Sequence, residues 1–244
     1  KTRREIERLQ QRLGLNEPFI SENGGGIFFP GGYPVPAADC FEPVDGYRCR
    51  VYGKPYSTIR DIFTRYRDAR IRGFGDMTVE EIMQRTGLAR EEALLAVRRD
   101  FSEPFVVLGG QLPEGFREKV GACGLAISRG GRFYHLTAAG QDKGRAVTDT
   151  MRLFQAFSAN RIRSAGLGDA QNDCTMLQAV DIPVLIPRPD GSYVSMDIPG
   201  LRKASFPGSR GWGGAVAEIL DQLAPQPEVY PHCRDTRTLR RENG

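Results

Sequence analysis

The stretch Gly166–Asp181 reads GLGDAQNDCTMLQAVD, and its reading decides the fold. The residues before it, 161–167, have the pattern of a strand entering a buried sheet, and Gly168-Asp169 would end that strand. Asn172 and Asp173 then open a helix with Met176, Leu177 and Val180 at helical spacing. This places Asp169 and Asp173 at the carboxyl end of a strand, where open α/β sheets bind ligands. Two carboxylates and an amide on one short turn suit a hard cation such as Mg²⁺, which takes oxygen ligands and keeps several waters. The plainer alternative is that Asp173 caps a helix and Asp169 fills a turn.

Outward from this stretch the chain alternates between helical and strand patterns. Residues 142–157 form a helix with Ala146, Met151, Phe154 and Phe157 among its apolar positions, and 182–186 form a strand. Lys143 stands at the first turn of its helix, where the helix dipole favours negative charge, so an anion nearby would reconcile it. The candidates are the acidic turn or a bound phosphate; the bland reading is a lysine with its head in water. Residues 213–223 form a last amphipathic helix, and the tail after Pro225 has no periodicity and reads as weakly ordered.

Towards the start, Thr2 and Glu5 make a capping box for a helix that Gly14 stops. A short strand over 18–22 leads to Asn23-Gly24-Gly25-Gly26, whose glycines permit positive torsions and close approach of the backbone to a ligand. An ordinary hairpin turn before Ile27 accounts for the same residues. Residues 30–46 are rich in Pro and Gly and read as a loop or junction. From 47 to 136 the order is roughly βαβααβαβ, a compact α/β unit, with a Gly130-Gly131 bend near its end.

Composition narrows the function classes. The chain has 244 residues, 40% hydrophobic and 26% charged, a globular profile with no apolar run long enough to cross a membrane. A net charge of +4 without like-charge runs gives no nucleic-acid tail and suits a small anionic substrate. Five scattered cysteines without a CxxC pair, and only two histidines, make zinc improbable and fit a reduced, cytoplasmic setting.

Lys143-Gly144 followed by Gly168-Asp169-Ala170-Gln171-Asn172-Asp173 resembles the third and fourth motifs of haloacid-dehalogenase-like (HAD) phosphatases. Three longer strings resemble one family among them, the mannosyl-3-phosphoglycerate phosphatases. They are Gly130-Gly131-Arg132-Phe133-Tyr134-His135, Val180-Asp181-Ile182-Pro183-Val184 and Glu22-Asn23-Gly24-Gly25. The resemblance implies a doubly wound, Rossmann-like HAD core over residues 1–46 and 137–224, an inserted α/β cap domain over 47–136, and a tail over 225–244.

It implies an Mg²⁺-dependent phosphatase acting on a small phosphorylated sugar-glycerate, with no nucleic-acid or membrane partner and a role in making mannosylglycerate, a compatible solute. Lys143 would pair with the phosphate, Asp169 would ligate Mg²⁺, and Asn172 and Asp173 would support the metal and its waters. Asn23, Gly24 and Gly25 would face the site, and Arg132 and His135 would meet the substrate's carboxylate or hydroxyls. Asp76, Ser102 and Glu103 are weaker candidates, as are Arg188 and Arg210. The family's attacking aspartate belongs to a DxDGT motif, which these 244 residues do not contain. The expectation is that a nucleophile-bearing unit is missing in front and that the chain alone does not turn over. A related sugar-phosphate phosphatase and a non-catalytic binding protein are the alternatives.

Overall fold

The computed structural model describes residues 1–35 and 41–223. Residues 36–40 and the tail from 224 onward, with Cys40 and Cys233, lie outside the described residues, and so does the expectation of a weakly ordered tail.

Helix α1 (Arg3–Leu13) starts where the capping box predicts. The Thr2 hydroxyl accepts from the Glu5 amide at 3.1 Å, and the Glu5 carboxylate accepts from the Thr2 amide at 2.7 Å. Gly14, left-handed at φ 65°, ends it. Strands β1 (Phe19–Ser21), β2 (Gly26–Pro30), β3 (Glu42–Val44) and β4 (Tyr47–Val51) form an antiparallel sheet in the order β1-β2-β4-β3. The glycine run is thus the turn of the β1–β2 hairpin, and the Pro/Gly-rich stretch 30–46 contains a short strand. Strand β4 pairs with β2 and β3, so the sheet boundary falls after Val51 and not before Tyr47.

A second antiparallel sheet follows. Helix α2 (Tyr56–Tyr66) ends where Arg67 turns extended and Asp68 accepts from the Arg70 amide in a local turn. Strand β5 (Ile71–Gly73) leads through helices α3 (Val79–Thr86) and α4 (Arg90–Ala96) to β6 (Ser102–Val107). Helix α5 (Phe116–Ala122) and the hairpin of β7 (Leu125–Arg129) and β8 (Tyr134–Ala138) complete it, in the order β5-β6-β8-β7. Phe105, Leu136, Leu125 and Ile127 point to one face, where Ile59 and Phe63 of α2 and Phe116 and Val120 of α5 cover them. Strand alternation sends Ser102, Pro104, His135 and Thr137 to the other face, which carries neither of those helices.

The chain then returns through α6 (Lys143–Gln155), whose Ala146 and Leu153 pack on Ile27 and Phe29 of β2. Strand β9 (Ala165–Gly168), helix α7 (Cys174–Gln178), β10 (Ile182–Leu185), β11 (Arg202–Lys203) and α8 (Gly208–Leu223) follow. The three strands are parallel, in the order β11-β10-β9, the Rossmann-like part of the α/β fold. Ala215 and Ile219 of α8 pack on Ile182 and Val184, while Leu177 of α7 meets Leu185. The predicted strand 161–167 begins only at Ala165. Asp181 captures the Ser164 amide and hydroxyl, each at 2.9 Å, and pairs with Arg161, which holds that segment in a loop. Among the described residues no helix is long and apolar enough to cross a membrane.

Candidate active site

The carboxyl end of β9 runs directly into the acidic turn. Gly168 closes the strand, a 3₁₀ turn covers Gln171–Asp173, and α7 follows. Asp173 folds back over Gly168 and is 7% exposed; a Cβ on Gly168 would lie 2.5 Å from that of Asp173. One Asp173 oxygen accepts from the amides of Asp169 and Ala170 at 3.0 and 3.1 Å. The other accepts from Lys143 Nζ at 2.6 Å. The anion that reconciles Lys143 with its helix N-terminus is therefore Asp173. Asp142 caps that helix by accepting from the Arg145 amide at 2.8 Å. Gly144 lets α6 meet α7 closely, since a Cβ there would stand 2.3 Å from the Thr175 carbonyl oxygen.

The hairpin turn joins from the other side. Asn23 Oδ1 accepts from Asn172 Nδ2 at 3.4 Å. Gly24, at φ 86°, passes under Asp142, where a Cβ would fall 2.3 Å from the carbonyl oxygen. Only glycine combines that torsion with that approach. Gly25 serves packing, because a Cβ on it would lie 2.6 Å from Phe101 Cβ. Asp169 is exposed at the rim, and no hydrogen bond or ion pair engages its carboxylate among the described residues. No group of three or more His, Cys, Asp or Glu converges among the described residues, so no all-protein metal cage exists there. One free carboxylate beside the Asn172 amide and the Asp173 turn fits a cation that keeps most of its water, as Mg²⁺ does.

His135 is set apart from these contacts. Burial drives its pKa down to about 3, with the Arg99 and Lys143 charges acting in the same direction, and its Nδ1 has no hydrogen-bond partner among the described residues. Arg132 is exposed and donates to the Arg85 carbonyl at 3.3 Å, away from Lys143. Glu103 is fully buried in a network with Tyr56 and Arg60, Asp76 pairs with Arg60 and Arg67, and Ser102 donates to Glu22. Arg188 is exposed in a turn, and Arg210 lies over the Phe206 ring. Sequence reasoning missed two residues at this junction, Glu22 and Gln141. Gln141 lies just before the predicted helix, but nothing in the local pattern marked Glu22 as a buried acid.

No family model matches the chain. It is 43% identical over 224 residues to the glucosyl-3-phosphoglycerate/mannosyl-3-phosphoglycerate phosphatase of Persephonella marina, covering 91% of this chain and 83% of that one. The chain belongs to this phosphatase family. A protein of the same name from Methanococcoides burtonii is 34% identical over 90% of this chain and 82% of its own. The mannosyl-3-phosphoglycerate phosphatase of Pyrococcus horikoshii is 31% identical over 74% and 72%. Among solved structures, a haloacid dehalogenase-like hydrolase from B. subtilis matches with a TM-score of 0.54 at 14% identity, over 91% of this chain and 85% of its own. The sucrose-phosphatase of Synechocystis matches with a TM-score of 0.51 at 12% identity, over 90% and 81%. The fold of this phosphatase chain is thus that of the HAD-like hydrolases, as its sequence motifs led one to expect.

Proposed function

We propose that the chain takes part in releasing phosphate from mannosyl-3-phosphoglycerate, with glucosyl-3-phosphoglycerate as a second substrate because two relatives carry both names. The observation that carries this reading is Lys143 bound to Asp173, which is itself fixed by the Asp169 and Ala170 amides. A lysine held by a clamped carboxylate presents a positioned positive charge to the transferring phosphoryl oxygens, and positioned charge is the main demand of phosphoryl transfer. Asp169, with Asn172 and Asp173 behind it, would hold Mg²⁺, which when bound supplies further charge neutralisation at the phosphoryl group. Asn23 and Gly24 support the Asn172 and Asp142 side of this site.

Residues 52–136, the span that remains once β4 joins the first sheet, serve as the cap in this proposal, with His135 offering a neutral acceptor to a sugar hydroxyl and Arg132 reserved for the glycerate carboxylate. The product is mannosylglycerate, a compatible solute, made in the cytoplasm, where the free thiols Cys49, Cys123 and Cys174 stay reduced. The family route runs through an aspartyl-phosphate, and the assay uses the whole protein. Phosphate release is measured on mannosyl- and glucosyl-3-phosphoglycerate and on unrelated phosphate esters, with and without Mg²⁺. Preference for the two sugar-glycerate esters supports the reading; equal rates on unrelated esters overturn it.

A further inference from the structure

Glu22 directly follows β1 and is 2% exposed, and neither the motifs nor the phosphatase reading gives it a task. It and Asn23 both adopt left-handed torsions, φ 49° and 59°, which side chains with a Cβ rarely take without support from their surroundings. The support comes from two directions. The carboxylate accepts from the amides of Asp100 and Phe101 at 2.7 and 3.1 Å and from the Ser102 hydroxyl at 2.6 Å, with Arg99 Nε at 3.4 Å. Those residues link α4 to β6, the strand that pairs with β8 and places Pro104 beside His135. The Glu22 carbonyl accepts instead from Gln141 Nε2 at 2.5 Å, two residues before Lys143. Gln141 Oε1 in turn accepts from the Ala138 amide at the end of β8.

One residue therefore holds two parts of the molecule by two different groups. Its side chain fixes the entry to the second sheet, and its backbone fixes the approach to Lys143. Asn23 and Gly24, directly after it, carry the same placement on to Asn172 and Asp142. A buried carboxylate with its oxygens filled by donors is held in one geometry, because each unmade bond would strand a charge away from water.

We propose that Glu22 is a positioning residue for substrate specificity: its carboxylate sets the second sheet, with His135, against the Lys143–Asp173 site so that one substrate spans both. The inference rests on the phosphatase reading. Glu22→Gln weakens one arm alone, since it replaces one acceptor oxygen by an amide donor, which then opposes either the Asp100 amide or the Phe101 amide, and it leaves the carbonyl bond to Gln141. Glu22→Asp keeps the charge but shortens the reach.

The test uses the full gene product and two substrates, mannosyl-3-phosphoglycerate and p-nitrophenyl phosphate, the second too small to need the second sheet. Glu22→Gln is expected to lower kcat/KM on the sugar ester about 10- to 100-fold, mainly through KM, and to change hydrolysis of the aryl ester less than about threefold. Glu22→Asp is expected to fall between. Amide hydrogen exchange, read independently of activity, should speed up at Asp100 and Phe101 and stay unchanged at residues 143–146. Equal losses on both esters, unchanged KM on the sugar ester, or exchange rising equally at 143–146 would each overturn the proposal. A parent enzyme inactive on both esters would instead overturn the phosphatase reading, and with it the substrate this positioning serves.

Discussion

At the residue scale, the proposed phosphatase reading rests on the Lys143–Asp173 pair. Asp173 already satisfies two backbone amides, so removing Lys143 leaves its carboxylate held in place but without its cation. Lys143→Ala should therefore keep the fold and weaken phosphate or vanadate binding by about 2 kcal/mol or more, the scale of a charge-assisted hydrogen bond. Unchanged affinity by calorimetry would remove Lys143 from the site. Asp169, exposed and without a partner among the described residues, tolerates Asp169→Asn structurally, and the variant should lose Mg²⁺-dependent turnover in the full gene product while its melting temperature holds. His135 makes a prediction of opposite kind. Its folded pKa of about 3 lies below the ordinary value of 6.5, so the unfolded state binds the proton more readily. The neutral side chain's contribution is fully present above about pH 6.5 and is lost as pH falls towards 3, by up to about 1.4 kcal/mol per unit. His135→Gln should flatten that acid limb of the stability curve, as read by urea denaturation between pH 7 and 4; an unaltered slope would show that another group sets it.

At the scale of elements, the features that were legible from the sequence are those that announce themselves over three or four residues. The Thr2 capping box, the Gly14 stop and the periodicity of α6 each carry their signal locally. The turn 168–173 was legible as an acidic strand end for the same reason. What the sequence did not display is where elements are held by distant partners. The late start of β9 depends on Asp181, and the place of β4 depends on β2 and β3. Glu22 was hidden most completely, since its partners lie about eighty positions onward. The glycines of the site also mean more in space than in sequence. Gly144, which the sequence shows only as the residue after Lys143, is the α6–α7 contact. Gly144→Ala would push a methyl group into the Thr175 carbonyl and should cost about 1–3 kcal/mol, the usual penalty of overpacking. For a chain of this length that is a fall in Tm of roughly 2–12 °C; a variant with unchanged Tm would show that the two helices separate freely.

At the scale of the whole molecule, the two antiparallel sheets have separate apolar clusters, one around Ile27, Phe29 and α6, the other around Phe63, Phe105 and Leu136. Separate cores unfold together only if something makes one depend on the other. Polar ties across the α4–β6 link supply that dependence at three points: Thr2 donates to the Leu95 carbonyl at 3.0 Å, Arg3 pairs with Asp100 at 3.0 Å, and Glu22 gathers residues 99–102. Arg3 is the most exacting of them. It is almost wholly buried, lies over the Phe28 ring, and also bonds Asp45 and Glu7. Arg3→Met keeps the stem's packing and removes the cation, leaving Asp100 facing the link without its partner. Because Asp100 is partly exposed, water screens it, and the loss should be about 1–3 kcal/mol, less than for a fully buried pair. The more telling consequence concerns cooperativity. Trp212, the sole tryptophan, sits on α8 beside the parallel sheet, while far-UV ellipticity reports all the helices. Urea transitions followed by the two probes should coincide in the parent chain and separate in Arg3→Met, with the second sheet melting first. If they still coincide, the contact between the sheets is carried by apolar packing of Phe101 over Gly25, Gly26 and Gly53, and the charged tie at Arg3 only adds to it.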